Sequence, residues 1–508
     1  MSYQTVVKFD ALPERKPTKF TVGETDMVLI RDGERVQAFQ AKCPHAGAPL
    51  EQGAVCGDKL ICPWHKAVFQ LSDGGMCEPP ALANLKRYPV RIEQGNVLVS
   101  PQAMSPASAP VAQGETPVCV ILGSGAAGSA AIWTLRDEGF SGRIVRIERE
   151  AEAPYDRTAL SKFVPSGKMD ISEVPKLLKQ DVLGPVARIQ DDVVQLNAQN
   201  RTLLLKSGQQ VTFDRLLIAT GGVPQVPDLP GRSLDGVHQL RSLAQADTLF
   251  SAVDETQQLV IIGNSFIGME VAGALRNRDV DVTVIARDQL PFKKQFGEEI
   301  GRHFYELHRR NGVKFVSGEP EALEGEGQVS AVRLKGGQRV PASLVLLATG
   351  VTPATGFIHD LPLQEDGSLL ADGQLRVQEA IWAAGDIASY LTPRGVQRIE
   401  HFRVAQQQGR IAALNMLGKN IMYDRVPFFW TAHYGTRYEY LGHASEWDEC
   451  RLLGSLQNQQ FIAFYCQQGM IAAVCSAGMN TLTAALVHDM QQPMTLAQGI
   501  ALFEAFQG

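Results

Sequence analysis

The sequence predicts a multidomain protein: a small all-β domain, then two doubly wound α/β units, then an α+β domain. Three observations predict it. The chain has 508 residues, beyond what a single core accommodates. Its first hundred residues carry short β-rich runs (DMVLI, VQAFQA, KLIC, AVFQL, VLVS) between Gly and Pro turns, whereas from Val118 apolar strands alternate with helical patterns. A glycine-rich turn between strand and helix then occurs twice, the mark of an internal duplication. The expected units are 1–100, a linker at 101–116, a first α/β unit at 117–241 and 344–425, a second at 242–343, and 426–508.

The all-β unit contains Cys43-Pro-His45 and Cys62-Pro-Trp-His65, a C-x-H and a C-x-x-H separated by sixteen residues. Both lie just after strand-like runs, hence on loops. Two thiolates and two imidazoles at this spacing are the ligand set of a Rieske 2Fe–2S centre, cysteines on one iron and histidines on the other. Pro44, Pro63 and Trp64 also stand where Rieske-type ferredoxins have them. A Cys2His2 zinc site is the competing reading. The segment SPQAMSPASAPVAQGETP, without periodicity and rich in Ala, Pro and Ser, reads as a linker.

The first glycine turn, Gly123-Ser124-Gly125-Ala126-Ala127-Gly128, follows the strand VCVIL and opens a helix. Its glycines permit a tight turn, approach of backbone to a pyrophosphate and close helix packing, with the helix N-terminus facing the anion. The next strand, RIVRIE, ends in Glu148, about twenty residues on, where a carboxylate accepts from a ribose hydroxyl. The second turn is Gly263-Asn264-Ser265-Phe266-Ile267-Gly268, with serine in the middle glycine position. Its acidic position holds Ala286-Arg287. Without a carboxylate to repel a 2′-phosphate, and with Arg287 to attract one, NADPH is favoured over NADH; Lys293 and Lys294 could add to that pocket. From about Val426 β runs return, and TLAQGIALFEAF closes the chain as a helix.

PYDRTALSK (Pro154–Lys162), DRLLIATGGVPQVP (Asp214–Pro227), LLATGVTP, IWAAGDIA (Ile381–Ala388), EHFRVAQQQGRIAALNMLG and VPFFWTAHYG follow in order. Together they resemble the flavin-dependent, nicotinamide-linked ferredoxin reductases of Rieske oxygenase systems, and more closely the apoptosis-inducing-factor-like flavoproteins with an N-terminal Rieske domain. The resemblance implies FAD in the first unit and NAD(P)H in the second. It implies that Gly385 and Asp386 hold the ribityl and pyrophosphate region, that Ala219, Thr220 and Gly221 bind FAD, with Thr220, Gly221 and Gly222 forming the crossing between the two units, and that Arg157 touches the FAD phosphates. Lys162 would lie at the flavin N5 side, paired with Glu270 beside the nicotinamide, and Trp430 on the flavin face. Gly350 would belong to the nicotinamide site. Thr158 departs from the proline usual in this motif. His433 stands where related chains often have Gln, and reads either as an imidazole near the flavin that tunes its potential or proton uptake or, equally, as a surface histidine.

The expected function is electron transfer from NAD(P)H through FAD to the fused cluster, then to an unidentified acceptor from an exposed His45/His65 edge. The other class is a redox-responsive binding protein without sustained turnover. Disulfide reductase chemistry lacks its cysteine pair: PYDRTALSK has no cysteine, and Cys56, Cys77, Cys119, Cys450, Cys466 and Cys475 form no C-x-x-C. A mononuclear oxygenase iron would need Glu299, His303 and His308 to converge, yet five helical residues set the two imidazoles roughly 140° apart. A net charge of −6 offers no basic footprint for nucleic acid. The start, MSYQTVVKFD, has no apolar leader, and no run reaches the roughly 18 residues of a membrane span, so the expected location is cytoplasmic. A low cluster potential is expected, because Ala48 and Trp64 replace the extra cysteines of high-potential Rieske proteins and Ala67 replaces a hydroxyl donor.

Overall fold

The computed structural model describes residues 3–104, 117–178, 184–392 and 395–507. The linker reading therefore lies mostly outside the described residues. Three antiparallel sheets form the first unit. Thr18–Val22, Thr25–Asp32, Arg35–Gln40 and Arg87–Tyr88 make one; Gln4–Lys8, Asn96–Val99 and Val90–Glu93 make another. The third is a meander of Ala54–Cys56, Lys59–Ile61, Val68–Gln70 and Met76–Glu78. Cys62–Ala67 bridges its two central strands. Cys62 N donates to Ala67 O at 2.8 Å, and Cys43 N closes the other ligand loop on Ala48 O at the same length.

The first α/β sheet runs in the order Ala187–Gln190, Arg143–Glu148, Val118–Leu122, Arg215–Ile218, Ile381–Ala383, Arg376–Gln378, parallel but for the last pair. Its strands are near-continuous apolar runs because both faces are covered. Helices Ala126–Asp137 and Phe402–Met416 cross so closely that a Cβ on Gly409 would lie 2.0 Å from Ala127 O. The second sheet is all-parallel: Val237–His238, Val345–Leu347, Gln258–Ile262, Asp281–Ala286, Lys314–Ser317. Val237–His238 and Val345–Leu347, which the sequence division places in the first unit, thus hydrogen-bond into the second. Each is too short to show its sheet partner in its own pattern.

Two strands link the units: Gly222–Pro224 pairs antiparallel with Val351–Pro353, and Thr220 Oγ1 donates to Ala354 O at 3.0 Å. The last unit is a five-stranded antiparallel sheet, in the order Phe428–His433, Thr436–Gly442, Met470–Ala477, Gln460–Gln467, Glu449–Ser455, with helices Asn480–Asp489 and Leu496–Gln507. The Rieske-motif unit docks on this sheet and on the first α/β unit. Ile61 and Val68 pack on Ala484 and Ala485, and Arg403 reaches Glu78 at 2.9 Å and Lys66 O at 2.7 Å.

Candidate active site at the junction of the four units

A cleft of about 2180 Å³ lies where the units meet. It is lined by both ligand-loop histidines, by Gly123–Ala127, Glu148, Arg157, Lys162, Ala219–Gly221, Gly385, Asp386 and Trp430, and by Phe266, Ile267 and Glu270. Gly128 stands behind the lining, where its missing Cβ leaves room for Gly123 O. Gly263, Asn264, Ser265, Gly268, Arg287 and Gly350 lie outside the cleft wall, at the end of the second sheet.

The two thiols fit one metal and the two imidazoles another. Cys43 and Cys62 are buried side by side: its hydrogen bond to Cys62 and burial push the Cys43 thiol up, and the same bond lowers Cys62. The backbone N–H groups of His45 and Ala46 point at Cys43 Sγ, and those of Trp64 and His65 at Cys62 Sγ, the donors a thiolate pair needs. His45 Nδ1 and His65 Nδ1 face each other at 3.1 Å. Burial keeps both imidazoles neutral, the ligating form, and Arg437 lowers them further. Among the described residues no three such groups converge on a single ion; two pairs are the arrangement a dinuclear cluster asks for.

The FAD residues also fit. A Cβ on Gly123 would stand 2.3 Å from Ala219 O, so only glycine makes this turn, whereas Gly125 faces open space in the cleft. Glu148 is buried, with Ser124, Arg188 and Arg146 on its carboxylate. Gly385 N is fixed by Gln408 Oε1 at 2.7 Å and Asp386 by Arg241 at 2.8 Å. Arg157 pairs with Glu150 and Tyr155 in the cleft lining. His401 Nδ1, among the described residues, is buried in the lining without a hydrogen-bond partner.

Lys162 and Glu270 meet at 3.1 Å from opposite units, both nearly buried. Ser161 donates to the same carboxylate oxygen at 2.5 Å, and Thr431 to the other at 2.7 Å. Lys162 Nζ also lies 5.0 Å above the Trp430 ring, whose centroid is 5.5 Å from that of His65. Arg287 is exposed and paired with Glu319 at 2.6 Å.

Two expectations are corrected. The His45/His65 edge is half-buried in the cleft lining instead of openly exposed, with Arg437 over its His65 side: the guanidinium donates to Trp64 O and meets His65 Nε2 at 3.3 Å. His433 is 1% exposed, on no surface, and pairs with His308 at 3.1 Å; His303 turns away to the Tyr438 hydroxyl. Sequence reasoning missed Arg437 and Lys66. Lys66 is wholly buried and pushed down to about 8 by burial, with Glu439 opposing, and its Nζ lies 3.0 Å from that carboxylate. Only contact between the units reveals either.

Residues 117–409 match the family described as pyridine nucleotide-disulphide oxidoreductase, and residues 2–89 the Rieske [2Fe-2S] domain. The chain is 30% identical over 500 residues to apoptosis-inducing factor 3 of Mus musculus, covering 94% of this chain and 82% of that one. It is 34% identical to the ferredoxin--NAD(+) reductase component of the biphenyl dioxygenase system of Paraburkholderia xenovorans, over 67% of this chain and 84% of the relative. A solved ferredoxin reductase from Rhodopseudomonas palustris superimposes with a TM-score of 0.71 at 26% identity, over 77% of this chain and all of the other. Despite the family's title, all eight cysteines are free and none lines the cleft. The chain belongs to the pyridine nucleotide-disulphide oxidoreductase family, as an NAD(P)H-dependent FAD oxidoreductase of the ferredoxin-reductase type with an N-terminal Rieske 2Fe–2S domain.

Proposed function

We propose that the protein carries electrons from NAD(P)H through FAD to its own Rieske cluster and then to an external acceptor. FAD supplies the conversion of a two-electron donor to one-electron steps, and the cluster accepts one electron at a time. The observation that carries this reading is the shared cleft: His65 touches Trp430, Trp430 touches Lys162, and all three line the cavity that holds the FAD glycines. An acceptor built into the same cleft makes the Rieske unit an internal ferredoxin.

Cys43 and Cys62 would hold one iron, His45 and His65 the other. Gly123–Gly128, Glu148, Arg157, Gly385 and Asp386 would hold FAD. Lys162, neutralised by Glu270, would stabilise negative charge at the ring, and the Gly263–Gly268 turn would take the nicotinamide coenzyme. The exposed residues of the first ligand loop are Ala46 and Gly47, so an acceptor comes nearest the cluster there.

Anaerobic mixing with either coenzyme should bleach the flavin and then raise the Rieske electron paramagnetic resonance signal. His65→Ala should abolish that signal, keep the yellow flavin and stop cytochrome c reduction. A wild-type cluster that stays oxidised beside fully reduced flavin would overturn the reading. A single slow reduction without turnover favours the binding-protein class. A redox titration should place the cluster near the bottom of the roughly −150 to +300 mV Rieske range.

A further inference from the structure

Behind the Lys162–Glu270 pair runs a file of side chains linked by hydrogen bonds. Glu270 Oε1 accepts from Thr431 Oγ1 at 2.7 Å, and Thr431 Oγ1 lies 2.9 Å from His433 Nε2. His433 Nδ1 lies 3.1 Å from His308 Nε2, and His308 Nδ1 2.9 Å from the Tyr434 hydroxyl. Thr431, His433 and His308 are at most 1% exposed, while Tyr434, at the hairpin turn, is partly exposed. Phe292 and Phe304 wall the His433 ring. The file thus crosses an apolar interior from the cleft to a partly exposed tyrosine.

The carboxylate end sets the direction of every bond. The Glu270 carboxylate accepts from Lys162, Ser161 and Thr431, so the Thr431 oxygen in turn receives His433 Nε2–H. His433 Nδ1 then accepts from His308 Nε2–H, and His308 Nδ1 from Tyr434 O–H. Burial holds His308 down at about 3 and His433 well below the usual imidazole range. The charged and titratable groups facing His433 are His308, Lys162 and His303, with Glu270 beyond Thr431; His308 faces His433 and Tyr434, behind which stands Arg276. The cations among these oppose an imidazolium, so each ring is neutral, with one donor and one acceptor.

So ordered, the file is set to pass a proton inward. Tyr434 gives its proton to His308 Nδ1, Nε2–H passes to His433 Nδ1, His433 Nε2–H to Thr431, and the Thr431 proton to Glu270 Oε1. Solvent replaces the proton on Tyr434. Every bond is then reversed and set to return the proton. Electrons entering the cleft raise the proton affinity of a neighbouring carboxylate.

We propose that Tyr434, His308, His433 and Thr431 form a proton relay between solvent and Glu270, which takes up one proton while the cleft holds the electrons of NAD(P)H and returns it when they leave. The balance is NAD(P)H to NAD(P)+, one proton and two electrons; the proton borrowed by Glu270 cancels over the cycle. The relay rests on nicotinamide oxidation in this cleft, whether or not the cluster is the acceptor.

In 15N-histidine-labelled holoprotein at neutral pH, both rings should be neutral Nε2–H tautomers; an Nδ1–H tautomer or an imidazolium at His433 would overturn the relay. Difference infrared spectra on electrochemical reduction should show a carboxylic acid band, absent in Glu270→Gln. This needs no coenzyme, so its failure is distinct from failure of the nicotinamide reading. Thr431→Val should slow proton uptake, followed with an indicator dye after mixing with NAD(P)H, by at least about tenfold, and Thr431→Ser should restore it. Tyr434→Phe, at a partly exposed position, should slow it too. Wild-type uptake in Thr431→Val, or in Tyr434→Phe should the valine variant not hold FAD, sinks the relay.

Discussion

The two glycine turns are built alike and used differently. In each, the first glycine sits against a carbonyl of the crossing strand: a Cβ on Gly123 would meet Ala219 O at 2.3 Å, and one on Gly263 would meet Ala348 O at 2.4 Å. The last glycine packs on the first, with the corresponding approach 2.0 Å for Gly128 and 2.7 Å for Gly268. The middle residues part ways. Gly125 opens onto the cleft, whereas Ser265 caps its helix through Gly268 N and donates to Ala348 O at 3.0 Å. The position after the second strand also differs: Glu148 is buried among Arg188, Arg146 and Ser124, but Arg287 stands exposed. One turn is enclosed, as suits a resident cofactor, and the other is open, as suits a co-substrate that must leave.

Breaking the turns at equivalent positions should give the largest effects. Gly128→Ala forces two backbones apart and should cost roughly 3 kcal/mol or more, with loss of FAD. Gly268→Ala, with more room, should cost less and spare the flavin. Gly125→Ala meets nothing in the protein, so it should leave the denaturation midpoint of the flavin-free protein unchanged while lowering flavin content. Ser265→Gly should cost only a few tenths of a kcal/mol. Urea melts and the flavin-to-protein absorbance ratio measure all four. Equal losses in Gly128→Ala and Gly268→Ala would erase the distinction.

Acid should loosen the helix that carries His308 before the helix that follows the first glycine turn. His308 and His433 are held neutral by burial, His308 at about 3 against an ordinary value of 6.5. Their folded pKa is depressed, so the stability they contribute is complete above pH 6.5 and drains away as the pH falls towards 3. On the flavin side burial works against the Glu150 carboxylate, but Arg157 holds it below its ordinary 4.5, so its contribution persists to lower pH. Between pH 6.5 and 4.5 the buried imidazoles are under strain; His401, also held down at about 3, stands at the flavin cleft, but Lys293–Arg310 carries His308 within it and Ala126–Asp137 carries no imidazole. Hydrogen exchange at pH 5 against pH 7, corrected for intrinsic rates, should show faster opening in Lys293–Arg310 than in Ala126–Asp137. Equal acceleration in both helices would count against this.

The same contrast explains what the sequence reveals. The cluster ligands and both glycine turns are local patterns, since a turn or a ligand loop must carry its chemistry within a few residues. Lys162 and Glu270 were legible only through resemblance, because one ends a single helical turn, Ala159–Lys162, and the other lies on a distant helix. Lys66 looks like a loop lysine until Glu439, 373 positions away, is seen beside it. His433 reads as a surface residue because its partner His308 comes from another unit, 125 positions away. The Rieske unit hides its histidine edge for the same reason: Arg437 meets it only after the units dock. Contacts between units leave no periodicity in either segment.

The smallest effect, and the sharpest test of the open turn, is coenzyme choice. Arg287 in place of an acid favours NADPH, but its guanidinium is 77% exposed and already bound to Glu319, which also holds Lys335 at 2.9 Å. A 2′-phosphate would share Arg287 with that carboxylate and be repelled by it. An exposed pair contributes about 0–1 kcal/mol, so NADPH should lead NADH in kcat/KM by no more than roughly fivefold. Glu319→Gln frees Arg287 and should widen the lead. Arg287→Glu adds a repelling charge and a ribose acceptor, and should turn the preference to NADH. Both coenzymes should be compared on the three proteins at equal ionic strength, and added salt should narrow every difference because the groups are exposed. Should the wild type prefer NADH and neither substitution move the ratio, Arg287 does not read the 2′ position, and the two turns differ in enclosure but not in charge recognition.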